Sequence, residues 1–314
     1  MKTLINGLHH ITALASDAQR NVDFYVGVLG QRMVKKTINF DAPDVYHLYY
    51  GDETGSPGSI LTFFPYAGLQ RGRKGGGQLT YTAFSIPTTS LSYWMDRLTG
   101  FGIPYSGPYR RFNESYLRFE DYDGMGVELV ANDVDQRPGW DNGKIPIEYS
   151  IKGFFTATLN EFSIDKTVAL LTEVMQHKLV AEEEDIWRFE AMLGGPGNYV
   201  DVKKSPKDVR ALQGAGSVHH IAFATESDTS QLEIREKLLV AGYSPTEVLD
   251  RNYFHSIYYR EPGGILFEIA TNPPGFAVDE SLVELGSSLK LPEWYEPKRS
   301  AIETALPPIV AEAK

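Results

Sequence analysis

The stretch GLHHITALAS, Gly7–Ser16, returns late in the chain as SVHHIAFATE, Ser217–Glu226, and the two runs together hold four of the seven histidines. In each, an adjacent His pair opens an alternation of apolar and small residues with the period of a β-strand. After the first run, Asp17 supplies a helix N-cap. AQRNVDFYVGVLG then sets Val22, Tyr25, Val28 and Leu29 at helical spacing, and Gly30 stops the helix. Three strand-like pieces follow: RMVKKTINF, VYHLYYG and GSILTFFPY. The unit predicted is strand, helix, three strands.

The order recurs three times. QLTYTAFSIP precedes a helix at Ser90 to Thr99 and closes with DYDGMGVELVAND. GFFTATLNEF precedes a helix near Asp165 to His177 and closes around NYVDVKKS. SVHHIAFATE precedes a helix near Asp228 to Ala241 and closes with YYREPGGILFEIATN. Such repetition, at about sixty residues per unit, decides the architecture. One helix covers one face of each small sheet, so the other face must be buried against a partner unit. The fold class predicted is α+β: four βαβββ modules paired into two half-barrel composites. The polar, Pro- and Gly-containing stretch Asn132 to Pro146 predicts a boundary between a domain at 5–132 and a second at 151–273. Residues 274–314 read as a tail with one short helix, packed across the body.

With 314 residues, the chain can bury a sizeable core. A net charge of −11 argues against nucleic acid or an anionic membrane surface as partner. The absence of cysteine removes disulfides, thiolate metal sites and thiol nucleophiles, so any metal must use His, Asp or Glu. The N-terminus, whose apolar stretch is broken by Asn6, Gly7 and the His pair, does not read as a signal peptide, and no apolar run approaches a membrane span. The expectation is a soluble cytoplasmic protein, its oligomeric state left open, acting on a small neutral or aromatic molecule.

Strand side chains alternate, so only one of each His pair can face a shared cavity. In the first run His10, Thr12 and Leu14 share a face, opposed by His9, Ile11 and Ala13; in the last, His220, Ala222 and Ala224 oppose His219, Ile221 and Phe223. The bulkier sets suit the helix-covered side. That leaves His10 and His220 on the open side and turns His9 and His219 away, within reach of a site only near a strand end. In the closing strand Ile265, Phe267 and Ile269 form the apolar face, so Glu268 joins the cavity side. Setting PGSILTFFP against PGGILFEIA places Phe63 where the last unit has Glu268, so no fourth acidic ligand is expected. Two imidazoles and one carboxylate on one side of an ion leave positions for an organic substrate and O2 on Fe(II). Glu128 falls at the position of Glu268 in unit two, but Tyr81 and Phe155 stand at the second-His positions of units two and three, so Glu128 reads as a structural remnant. LQRGRKGGGQ, Leu69–Gln78, lacks the ending of a phosphate-binding loop and reads as a connector. His47 and His255 read as structural.

HHIT, FYVGVLGQRMVKKT, YHLYYGD, DYDGMGVELV and EPGGILFEIATNPPGF together resemble the vicinal oxygen chelate superfamily, and within it the dioxygenases that cleave hydroquinone and catechol rings. The likeness spans about residues 5–275. It implies a glyoxalase-like fold and an Fe(II), less often Mn(II), site whose ligands match His10, His220 and Glu268. It further implies that His9, His219, Arg251 and Tyr258 stand beside the metal or touch the substrate. The function expected is extradiol-type ring cleavage of a hydroquinone or catechol by O2. A glyoxalase-type metal-dependent isomerase or lyase, or a non-catalytic small-molecule binding protein, are the alternatives.

Overall fold

The computed structural model describes residues 3–141, 143–191, 194–206 and 209–310. Four repeats of strand, helix and three strands make up the body. The first has β1 (Leu8–Ala15), β2 (Arg32–Asn39), β3 (Ala42–Gly51) and β4 (Ile60–Pro65); the second β5 (Gln78–Ile86), β6 (Tyr105–Arg111), β7 (Glu114–Glu120) and β8 (Gly126–Ala131). The third has β9 (Phe154–Glu161), β10 (Lys178–Glu183), β11 (Ile186–Glu190) and β12 (Tyr199–Lys204); the last β13 (Val218–Thr225), β14 (Leu249–Asp250), β15 (Phe254–Arg260) and β16 (Leu266–Pro274). The helices are α1 (Ala18–Val22), α2 (Leu91–Gly100), α3 (Asp165–Ala169) and α4 (Asp228–Val240), with α5 (Arg299–Ala305) in the tail. Asp17 caps α1 by accepting the Arg20 amide at 2.8 Å. Both α1 and α3 continue as wider π-type turns, Asp23–Val28 and Leu170–Val174. No helix among the described residues is long and apolar enough to cross a membrane.

The strands form two eight-stranded sheets, β14-β15-β16-β13-β1-β4-β3-β2 and β10-β11-β12-β9-β5-β8-β7-β6. The first unit therefore joins the fourth, and the second joins the third. The expected halves, 5–132 and 151–273, each give one unit to either sheet, so the composites interleave along the chain. Helical segments and apolar side chains fill the space behind both sheets. Phe24 reaches Phe119 of β7 while Tyr25 packs on Phe63 of β4, ring centroids 4.6 Å apart. The two connectors between units meet as well, with bridges Arg71–Ala215, Arg73–Leu212 and Gly76–Arg210. A Cβ on Gly76 would stand 2.5 Å from the Phe162 ring. The glycines of Leu69–Gln78 thus serve close chain approach, as a connector requires.

The pairing registers carry the feature that strand alternation missed. Between β1 and β13, Leu8 faces Phe223 and His10 faces Ala222, so His9 is the extra residue of a β-bulge. Further along, Thr12 faces His220 and Ala13 faces Val218, which makes His219 the extra residue of a second bulge. The β5–β9 pairing repeats both, with Thr80 and Phe155 as the extra residues. A bulge breaks the strict two-residue period. Neighbouring side chains can then share one side of the strand.

Segments after β16 lie over the edge of the first sheet. Lys290 donates to the Lys36 carbonyl at 2.9 Å, and the buried Lys35 ammonium is held at 2.5 Å by both Asp279 and Glu280. Tyr295 donates to the Phe40 carbonyl at 2.8 Å, fastening the β2–β3 turn.

Candidate metal centre

The seam between units one and four brings His10 of β1, His220 of β13 and Glu268 of β16 together. The three residues are 1 %, 5 % and 0 % exposed respectively, so their polarity must be balanced inside the protein or by a bound ion. Nε2 of His10 and Nε2 of His220 are 3.2 Å apart, and they lie 3.2 and 3.0 Å from Oε2 of Glu268. Among the described residues that oxygen has no other hydrogen-bond partner, while Oε1 accepts a short hydrogen bond from Ser256. Among the described residues this is the one trio of His, Cys, Asp or Glu with ligand atoms close enough to hold a metal.

The bulges decide the tautomers. Nδ1 of His9 stands 2.9 Å from Nδ1 of His10. Burial, reinforced by His10, pushes the His9 pKa down to about 3, so that ring is neutral. For the His10 Nε2 lone pair to face the trio, the His10 proton sits on Nδ1 and His9 Nδ1 accepts it. The same contact recurs at 2.8 Å between His219 and His220. Burial and the neighbouring His220 push His219 down to about 4. Burial likewise lowers His220, against the pull of Glu268. Burial alone would raise the Glu268 carboxyl, but the positive charge that His10 and His220 carry when protonated outweighs it and holds the group well below the usual range.

With both rings neutral, two imidazole lone pairs and a carboxylate oxygen converge, an arrangement that repels itself unless a cation takes the place of the lost protons. An ion about 2.1 Å from each donor, with donors at right angles, would set them about 3.0 Å apart. The observed edges of 3.0 to 3.2 Å fit such a facial arrangement.

A cavity of about 300 Å³ opens over the trio, lined by both imidazoles and by His219, Arg251 and Tyr258. Its other walls include His47, Tyr49, Phe64, Phe254 and Leu266. Arg251 Nε donates to the Tyr258 hydroxyl at 3.2 Å, and its guanidinium reaches Asp41 across the mouth at 3.5 Å. Burial, then the Glu268 charge, raises the Tyr258 hydroxyl far enough to keep it protonated. All four expected neighbours of the trio are thus assembled, in two groups. His219, Arg251 and Tyr258 line the cavity; His9 stands behind His10.

Three expectations drawn from strand alternation need correction. His9 and His219 are not turned away from the site, because each is a bulge residue. The closing-strand alignment is one residue off. Thr62 pairs with Thr12 in β4–β1 as Glu268 pairs with Ala222 in β16–β13, so Thr62, not Phe63, holds the position of Glu268. Phe63 packs on the opposite face against Tyr25. The residue matching the second His in unit three is Thr156, since Phe155 is itself the bulge. A fourth acidic ligand is absent in either alignment. Thr62 instead bonds Thr12 at 2.8 Å and His47 Nε2 at 2.8 Å, while Tyr49 reaches His47 Nδ1 at 2.8 Å. His47, read from the sequence as structural, thus lines the cavity, whereas His255 pairs with Asp228 at 2.6 Å away from it.

The second sheet repeats the geometry with different chemistry. Glu128 and Asp201 occupy the two carboxylate positions, and Tyr81 and Thr156 the imidazole positions. Guanidinium groups take the place of an ion: Arg111 and Arg118 bind Glu128 at 2.7 and 2.6 Å, and Arg188 binds Asp201 at 2.7 Å.

Comparison with known proteins agrees with this layout. The model of the Glyoxalase/Bleomycin resistance protein/Dioxygenase superfamily matches residues 7–129 and 154–269. MhqO of Bacillus subtilis, assigned by name as a ring-cleaving dioxygenase, is 45 % identical over 96 % of both chains. The chlorohydroquinone/hydroquinone 1,2-dioxygenase of Sphingobium indicum is 37 % identical over 98 % of both. A crystal structure from Bacillus subtilis assigned as a dioxygenase superposes over 100 % of both chains with a TM-score of 0.95 at 44 % identity. Glyoxalase I of Zea mays shares the fold, with a TM-score of 0.64 at 12 % identity over 85 % of this chain and 92 % of that one.

Proposed function

Because the chain belongs to the Glyoxalase/Bleomycin resistance protein/Dioxygenase superfamily, we propose that it is a ring-cleaving dioxygenase that opens a hydroquinone or catechol with O2 by extradiol-type chemistry at an Fe(II) held by His10, His220 and Glu268. The observation that carries this reading is the trio of converging ligand atoms on one side of a cavity large enough for an aromatic diol, with Thr62 where a fourth acid would stand. Full-length relatives assigned to ring cleavage support the reaction class. His10, His220 and Glu268 would hold the Fe(II), which would supply a redox-active centre for the reaction of the ring with O2.

The protein's part is to hold and hydrogen-bond the ring. Phe64, Leu266 and Phe254 give the cavity apolar walls, which favour the flat faces of an aromatic diol over water. Arg251 offers guanidinium donors at the cavity, where a substrate oxygen carrying developing negative charge is stabilised. Burial works against the Arg251 charge, but Tyr258, Asp41 and Glu268 outweigh it and keep the group cationic. Tyr258, protonated and oriented by Arg251, donates to a second substrate oxygen. His219 lines the cavity, and with its Nδ1 accepting from His220 its remaining ring N–H donates a hydrogen bond to a substrate oxygen there. His9 positions His10 and does not touch substrate.

Anaerobic reconstitution with Fe(II), followed by oxygen-electrode measurement across hydroquinones and catechols, tests the proposal. Stoichiometric oxygen uptake with at least one ring is expected. Full metal loading without uptake for any of them removes the reading.

A further inference from the structure

A second cavity of about 240 Å³ lies on the other side of Phe254 from the substrate cavity. Among the described residues Phe254 is the single one lining both. Its ring stands 5.0 Å from the His10 ring and 5.1 Å from the His9 ring, so the partition between the second cavity and the trio is one side chain thick. Ile60, Pro274 and Phe276 give this cavity apolar walls beside the polar His9, Thr54, Ser56 and Asn272, and the exposed Ala277 and Leu282 also line it. Among the described residues no Asp, Glu, Lys or Arg lines it, whereas Asp41 and Arg251 line the substrate cavity.

We infer that the second cavity is the port through which dioxygen, a small apolar molecule, reaches the metal centre, with Phe254 as the movable partition. This rests on the dioxygenase reading of the trio. An aromatic diol seated among Phe64, Leu266 and Phe254 stops the front cavity, yet O2 must reach the same ion while the ring is bound. An uncharged, partly apolar chamber behind His10 supplies that approach. Small apolar gases partition into such cavities because water gains little there.

The outer rim is built from the segment after β16, which makes it accessible to mutation without touching the trio. Ala277 is exposed and Leu282 is 52 % exposed. Ala277→Trp and Leu282→Trp each place an indole over the opening and leave the sheet core unchanged. Crystals of the unsubstituted protein under xenon pressure are expected to show xenon between Ile60, Phe254 and Phe276, and crystals of Ala277→Trp to lose it. That readout needs neither metal nor substrate. Nitric oxide, as a surrogate for dioxygen, should bind the Fe(II)-loaded, hydroquinone-saturated protein about tenfold more slowly in both variants, and the KM for O2 should rise by about the same factor. The KM for the aromatic substrate should not move. Xenon absent from the cavity, or nitric oxide rates unchanged in a variant whose cavity is shown closed, overturns the port. Absence of oxygen uptake by the loaded parent protein would instead remove the dioxygenase reading, and the xenon and nitric oxide measurements would still judge the port on their own.

Discussion

The imidazoles of His9 and His10, adjacent in sequence, face each other through their Nδ1 atoms at 2.9 Å because a β-bulge sets them on the same side of β1. With the His10 proton on Nδ1 and accepted by His9, Nε2 of His10 is left to face His220 and Glu268. Residues that orient a ligand in this way are typically worth about 10–100-fold in metal affinity. His9→Leu should weaken Fe(II) binding by about that factor. His9→Gln, which keeps an acceptor, should recover most of it. Chelator competition on the folded variants measures both, and equal affinity in His9→Leu and the parent would show that the contact has no orienting role.

Three lone-pair atoms within 3.2 Å of one another make the metal-free centre a repulsive one. Binding an ion should therefore stabilise the fold as well as prepare it for chemistry. At a free metal concentration near 100 times Kd, linkage gives about 2.7 kcal/mol. Glu268→Gln removes the anionic ligand, and its melting temperature should no longer respond to Fe(II) or to chelator. A full metal-dependent rise in that variant would place the ion elsewhere.

Thr62 stands where pseudo-symmetry places the partner of Glu268, and it is the reason the trio has three members. Thr62→Glu should supply a fourth ligand from β4, tightening metal retention by about tenfold and closing a position that O2 and substrate need. Oxygen uptake should fall by about 100-fold or more, while metal content per chain holds. Retained uptake with tighter metal would show that the open positions lie on another side.

The sequence makes the repeated unit legible because a His pair, a helix stop and a Gly-rich turn recur in order, and Glu268 is found because Ile265, Phe267 and Ile269 mark the opposite face. It does not show which units pair. Edge complementarity between β1 and β13 is a property of backbone hydrogen bonding over 200 residues apart, and no side-chain pattern in either strand specifies it. Bulges are equally silent, since one inserted residue leaves composition unchanged while moving His9 and His219 to the site. The one-residue slip at Thr62 has a similar origin: Pro57 and Pro262 lie at different distances from their strands' paired residues, so aligning the prolines misaligns the faces. One signal was available. A double His retained in two repeats is costly if one member of each pair is idle.

Arg111 sits 4 % exposed between Glu128 and Asp201, in the sheet where carboxylates remain without imidazoles. Its removal leaves buried negative charge with less compensation. Arg111→Met should therefore cost on the order of 3–5 kcal/mol, read by denaturant unfolding. Metal affinity at the distant trio should be unchanged in the fraction that folds. A cost below about 1 kcal/mol would mean that Arg118 and Arg188 suffice alone.

Glu161, at the end of β9, is fully buried, and neither of its oxygens has a partner other than Glu261. Burial, then the charge of Glu261, then a hydrogen bond to it push the Glu161 carboxyl up to about 9 from an ordinary value of 4.5. Between those values the folded chain holds a proton that the unfolded chain has released. Stability therefore falls as pH rises across that window, is greatest below it, and levels off above it. Glu161→Gln presents a neutral group at every pH and can still donate to Glu261. The variant should lose this part of the pH dependence and be more stable than the parent at pH 8, by on the order of 1–3 kcal/mol. Melting curves of the two proteins at pH 5 and pH 8 decide it: a gap between them that does not widen toward the alkaline side would show that Glu161 is ionised in the folded chain.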